Sequence, residues 1–171
     1  MSEPTLYKSE SYGPVRVTRQ ILHETAAKFA EEQFALKGHA PFMWLLGCQT
    51  GIVWIETDWE DEREKEASLH FMRETAHTLG ADCYACIAEA WVSVVPRAEV
   101  EGGRLVQPRN RPKDQREDIL FIASGNRTGE TGHSRWLVTQ RRRGPNFLGP
   151  RVDIEDEAFT GRFFNILGKQ A

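Results

Sequence analysis

Two cysteines, Cys83 and Cys86, stand at C-x-x-C spacing ahead of a single carboxylate, Glu89, in the run A-D-C-Y-A-C-I-A-E-A-W-V-S-V-V. On a turn or a helix N-terminus residues three apart converge, and such a pair can exchange electrons or bind zinc. In an extended chain they diverge to opposite faces of a sheet. At about 3.3 Å per residue their Cα atoms would lie about 10 Å apart, beyond the roughly 7 Å that a disulfide bridges. The chemistry therefore follows from the secondary structure. β-branched and aromatic residues dominate, and neither Gly nor Pro interrupts the run before Pro96. That composition predicts a strand over Asp82–Val95, with two thiols on opposite faces and no metal between them.

Alternation along this strand places Glu89 on the side of Cys83, Ile87 and Trp91. A carboxylate among apolar groups must be paired or have a raised pKa, which is the property a general acid needs. Arg116, which opens the next predicted strand, would be its partner if the two strands pair in register. A second set of polar residues, Glu66, His70, Arg73, Glu74 and His77, lies on the outer face of a predicted helix. Glu66 and His70 have the i, i+4 spacing at which two side chains share a metal, but no third ligand is indicated, and Arg63 and Lys65 offer ion pairs instead. A solvated charged face is expected there. Glu89, Arg116 and His70 are accordingly the catalytic candidates, in a small hydrolase-like enzyme with Glu89 as acid or base. No nucleophile elbow, phosphate loop or dinucleotide fingerprint occurs, since G-C-Q-T-G lacks the length and the lysine of a phosphate loop, and no cofactor is expected.

Basic residues form a third group. Arg97, Arg104, Arg109, Arg111, Lys113 and Arg116 fall in or beside residues 96–115, while the run Arg141-Arg142-Arg143 follows the last predicted strand. Guanidinium forks suit phosphates and carboxylates, so Arg104, Arg109, Arg111, Arg141, Arg142 and Arg143 are binding candidates for a nucleic acid or an acidic protein. Two facts weigh against a dedicated nucleic-acid binder: arginine outnumbers lysine 16 to 6 throughout, and the pI is near 6.0. Aromatic residues are also plentiful, with five Trp and nine Phe. If helices cover one sheet face only, Trp44, Trp54 and Trp91 would lie on the other, where a second copy would bury them in a homo-oligomer.

The elements that must carry these groups can be read from periodicity. Thr18–Lys37 has Ile21, Leu22, Thr25, Ala26, Phe29 and Leu36 at helical spacing, with Gly38 as its stop. Phe42–Gly47 and Ile52–Glu56 predict a hairpin across C-Q-T-G. Thr57 and Glu60 have capping-box spacing ahead of a helix striped by Leu69, Met72, Ala76 and Leu79, and closed by Gly80. After the strand over 82–95 comes a long loop, 96–115, then strands over Arg116–Ala123 and Ser134–Gln140 flanking the turn S-G-N-R-T-G-E-T-G. Phe159–Leu167 predicts a terminal helix, and residues 1–14 a mobile start. The fold class is α+β in a single domain, in the order α-β-β-α-β-β-β, with a largely antiparallel sheet and both helices on one face.

Totals narrow the setting. The net charge of −3 divides unevenly, residues 1–90 carrying 8 Lys/Arg against 15 Asp/Glu and residues 91–171 carrying 14 against 10. No charged-then-apolar leader opens the chain, and the longest apolar runs fall far short of the roughly 20 residues that span a bilayer. Three cysteines do not make a disulfide framework. A cytoplasmic protein without a membrane partner is expected. The pair A-E-A-W-V-S-V-V and R-E-D-I-L-F-I-A, separated by a proline-rich loop, resembles small uncharacterised α+β proteins of bacterial and phage genomes. The likeness is confined to those two strands and their loop. It implies a phage or mobile-element setting and assigns no activity. Together these features predict a non-catalytic binding or assembly protein that self-associates through an aromatic sheet face.

Overall fold

The computed structural model describes residues 5–8, 16–93, 106, 110–154 and 166–167. Helix α1 spans Arg19–Lys37: the Thr18 hydroxyl accepts from the Ile21 amide at its start, and Gly38, at φ 75°, donates its N–H to Phe34 at its end. Its buried stripe is Leu22, His23, Ala26, Ala27, Ala30 and Phe34. Ile21 and Leu36, expected on that stripe, are 42% and 77% exposed. Alanines decide the rotation, because three small side chains let the helix backbone lie close on a sheet.

Strands β2 (Met43–Cys48) and β3 (Gly51–Glu56) form the expected hairpin. Helix α2 follows at Glu62–Thr78. Its cap is Asp61, which accepts from the Glu64 amide at 2.8 Å, while Glu64 accepts from the Glu60 amide at 2.9 Å. The box expected at Thr57 and Glu60 is displaced because the Thr57 amide donates to the Phe42 carbonyl at 3.2 Å, prolonging the hairpin. Strands β4 (Cys83–Val92), β5 (Glu117–Asn126) and β6 (Thr131–Thr139) then run as an antiparallel meander. Short strands β7 (Phe147–Leu148) and β8 (Val152–Ile154) both pair with β6. β1 (Thr5–Lys8) pairs with β3 at the opposite edge, where the sequence suggested a mobile start. Every pairing is antiparallel, and the path is β1-β3-β2-β4-β5-β6-β7. The α+β class and the antiparallel sheet are as expected, and the order gains a strand before α1 and two after β6. Of the predicted terminal helix only Ile166 and Leu167 are described, and most of the 96–115 loop lies outside the described residues. No described helix is long and apolar enough to cross a membrane.

The helices do not share a face. Leu45, Cys83, Ala85 and Ile87 pack with α1, whereas Trp44, Leu46, Tyr84 and Cys86 pack with Leu69, Met72 and Ala76 of α2. β2 is buried at all six positions and β4 at its first six, so both central strands are sandwiched. A strand covered on both faces has no polar-apolar alternation to betray which helix goes where. Cys83 and Cys86 fall in different clusters, as extended geometry requires.

The hairpin β5–β6 is longer than its composition suggests. Gly125 and Gly132 read as turn residues but pair within the ladder. A Cβ on Gly125 would lie 2.7 Å from the Tyr84 ring, and one on Gly132 would strike the Arg19 guanidinium. Both glycines let a side chain lie flat over the strand. Gly125→Ala is therefore expected to cost about 1–3 kcal/mol by overpacking, read as a lower urea midpoint. Gly129→Ala, where a Cβ meets nothing, should cost less, through its φ of 88° alone.

Candidate functional site

On the face that carries α1, one end of the sheet is left open. β2 stops opposite Ile87, so β4 overhangs it and from Ala88 onward pairs only with β5. Antiparallel pairing brings the end of β4, the start of β5 and the end of β6 to this same edge. There a hollow of about 380 Å³ is walled by Glu89, Trp91, Asp118, Val138, Gln140 and Asn146. It shares Trp91, Asp118, Val138 and Gln140 with an adjoining hollow of about 480 Å³, which adds Lys113 and Arg116. Asn146 joins it to a third of about 520 Å³ between the end of α1 and β7, bordered by Glu31, Phe34, Arg141, Phe147 and Arg151. The three adjoin along this edge, and together they are called the trough here.

Its polar groups are held in place. The Glu89 carboxylate accepts from the Ala40 amide at 2.7 Å. Gln140 donates to Asp118 at 2.6 Å. Trp91 is 51% exposed and Phe147 42%, and each ring carries an arginine: Arg116 lies 4.4 Å from the Trp91 centroid and Arg141 4.7 Å from that of Phe147. A guanidinium over a ring face is attracted to the negative face of the π system, which restrains its long side chain.

Several sequence candidates meet here and others do not. Glu89, Trp91, Arg116 and Arg141 line the trough, with Arg142 and Arg143 exposed beside it. Glu89 and Arg116 are not partners, because Glu89 stands opposite Leu120 and the ladder ends at Val92 and Glu117, which puts Arg116 beyond the last pair. His70 belongs to α2, across the sheet from Glu89, and so cannot assist it. Arg111 donates to the Val106 carbonyl at 3.2 Å, and Arg104 and Arg109 lie outside the described residues. Trp44 is wholly buried beneath α2, and Trp54 is half-buried with its ring 5.0 Å from that of Phe29. The bare aromatic face expected for self-association is absent there because a helix covers each side. Among the described residues no group of three His, Cys, Asp or Glu could hold a metal.

Sequence reasoning missed a buried polar chain that meets the trough only at Arg151. His23 of α1 reaches between β5 and β6, its Nδ1 2.8 Å from the Ser124 hydroxyl and its Nε2 2.7 Å from that of Ser134. Ser134 donates to Asp153 of β8. Arg151 donates to Asp153 at 2.6 Å and, through both terminal nitrogens, to Glu24 at 2.7 Å. A bulge aims these groups: β6 advances three residues from Arg135 to Val138 while its partner runs four, from Val152 back to Leu148. The extra residue lets Leu148 join the α1 core while Arg151 reaches Glu24 on the same helix. With His23 neutral, the chain is satisfied when Ser124 donates to Nδ1 in place of its 3.3 Å bond to the Gly132 carbonyl, Nε2–H donates to Ser134, and Ser134 donates to Asp153. This neutral tautomer is the form that burial favours, and burial, with Arg151 next, lowers the His23 pKa to about 4. The bond from Arg151 holds Glu24 below its ordinary value, and that from Ser134 does the same for Asp153. A nucleophilic triad has histidine between serine and carboxylate; here histidine lies between two serines that are fully buried. The chain ties helix to sheet. A polar residue on the stripe of α1 was its only sequence signal.

The thiols are equally inert, since burial pushes Cys83 to about 11 and raises Cys48 and Cys86 too. Compared with known proteins, the chain matches no family model, no curated protein and no solved structure.

Proposed function

We propose that this is a binding protein without chemistry of its own, which takes an anionic partner in the trough at the open end of β4, β5 and β6. One observation carries the reading: two arginines, each lying over the ring of a half-exposed aromatic residue, wall adjoining hollows at one edge of the sheet. Stacking restrains a long side chain beforehand, so less entropy is lost when its donors engage an anion. Arg142, Arg143 and Lys113, all exposed, extend the positive rim. The hydrolase alternative retains Glu89 but loses the helpers assigned to it, Arg116 and His70.

Retention on an immobilised sulfated polysaccharide tests the reading. The wild type should bind at low salt and elute as salt rises, because screening weakens each contact. A hydrogen bond to a charged group contributes about 1.5–3 kcal/mol, so Arg116→Ala and Arg141→Ala should each weaken binding roughly tenfold or more. Arg73→Ala, on the exposed face of α2, should change nothing. No retention of the wild type, or equal loss in all three variants, would sink the proposal.

A further inference from the structure

We infer that the open edge of β4 pairs with the same edge of a second copy of the chain, joining two sheets about a two-fold axis at Ala90. The inference goes beyond the anionic-partner reading and does not depend on it. The Asn126 amide donates to the Glu130 carbonyl, so the even-numbered residues of β5 turn their backbone groups to β6 and the odd-numbered ones to β4. Across the next ladder Ala88, Ala90 and Val92 stand opposite Phe121, Ile119 and Glu117. Their amides and carbonyls therefore face β5, and those of Glu89 and Trp91 face outward. β2 cannot meet them: two residues further, its ladder would set Pro41 opposite Glu89, and proline has no N–H to give. The chain entering β2 turns instead toward the α1 face, where the Ala40 amide reaches the Glu89 carboxylate. Among the described residues no other strand takes this edge, and Glu89, Ala90 and Trp91 are exposed in succession after six buried positions.

An unpaired strand edge is a template for another strand, and three features select a second copy. The overhang runs from Ala88 to Val92. About a two-fold axis at Ala90 it pairs with itself end to end, Val92 lying opposite the partner copy's Ala88, just short of the residue that β2 already covers. Identical side chains meet on such an axis, here in a pair whose backbone groups point away and whose side chains lie closest, and alanine is small enough to fit. The charges are complementary too, since the axis brings the Glu89 carboxylate of each copy to the partner copy's Trp91, whose hollow also holds Lys113. Glu89 and Trp91 of each copy then exchange both N–H···O bonds with the other, in a closed and self-complementary contact.

Sedimentation velocity from micromolar to near-millimolar protein decides the matter. The wild type should pass from monomer to dimer as concentration rises. Trp91→Pro removes an outward N–H and leaves the β4–β5 ladder intact, so it should weaken the dimer roughly tenfold or more, the two-fold axis doubling the loss of each bond. Trp91→Ala, which keeps that N–H, should weaken it less. Glu89→Lys and Lys113→Glu should each lower dimer formation alone, by setting like charges together, and restore it as a mixed dimer when combined in equal amounts. Damage to either fold would not give that recovery. A wild type that stays monomeric throughout, a dimer that Trp91→Pro leaves unchanged, or charge variants that fail to pair on mixing while circular dichroism shows both folded would each overturn the inference.

Discussion

Trp44→Ala should destabilise the protein by about 3–5 kcal/mol, the cost of deleting a large aromatic side chain from a closed core. Trp44 is fully buried, with Tyr84 and Phe42 beside its ring at 6.4 and 5.7 Å, and α2 closes the site from above. Against a typical total of 5–15 kcal/mol this is a large fraction. Trp91→Ala should cost the monomer within about 0.5 kcal/mol, as exposed substitutions do, while weakening the dimer predicted above. Urea unfolding of the pair therefore separates two tryptophans that composition alone treats alike. Comparable losses from both would show that the open end of the sheet is part of the core.

The second large effect is on pH. His23 has a folded pKa of about 4 against an ordinary 6.5, so between these values the unfolded chain binds a proton that the folded chain refuses. Stability from this group is thus fully present above pH 6.5 and is lost as pH falls toward 4, by about 3 kcal/mol in all. The lowered pKa of His133, caused first by burial, acts in the same direction. Glu24 and Asp153, whose pKa values are depressed, contribute stability above the ordinary carboxylate range and lose it below, so acid unfolding continues where the histidine effect ends. His23→Gln, which hydrogen-bonds but does not titrate here, should cost about 1–3 kcal/mol at neutral pH by leaving a serine imperfectly paired, and should flatten the slope between pH 6.5 and 4. A slope unchanged in the variant would mean that another group is responsible.

The character of each element was legible from local composition. The run after Gly80 is a strand because its β-branched and aromatic residues suit a pleated surface, and this alone kept Cys83 and Cys86 apart. Both helices were visible from their stripes and stops, although the stripe of α1 was turned by its alanines and the cap of α2 was displaced by the pairing of Thr57 with Phe42. The two glycines of β5 and β6 read as a turn, since the Tyr84 ring and the Arg19 guanidinium that lie over them come from elsewhere in the chain.

The candidate site was legible only in pieces. Glu89, Trp91, Arg116 and Arg141 could each be singled out by residue type, yet nothing local says that Trp91 and Arg141, fifty residues apart, wall one trough. That follows from strand register, a property of pairs of segments. The same holds for the side of the sheet each helix takes, because β2 and β4 are apolar on both faces and accept a helix on either. His23 shows the limit most plainly: its two partners are over a hundred residues away in the chain. Residue types and spacing dictate what a segment can become, but long-range packing alone chooses which segments meet, because its free energy belongs to surfaces that do not exist until the chain has folded.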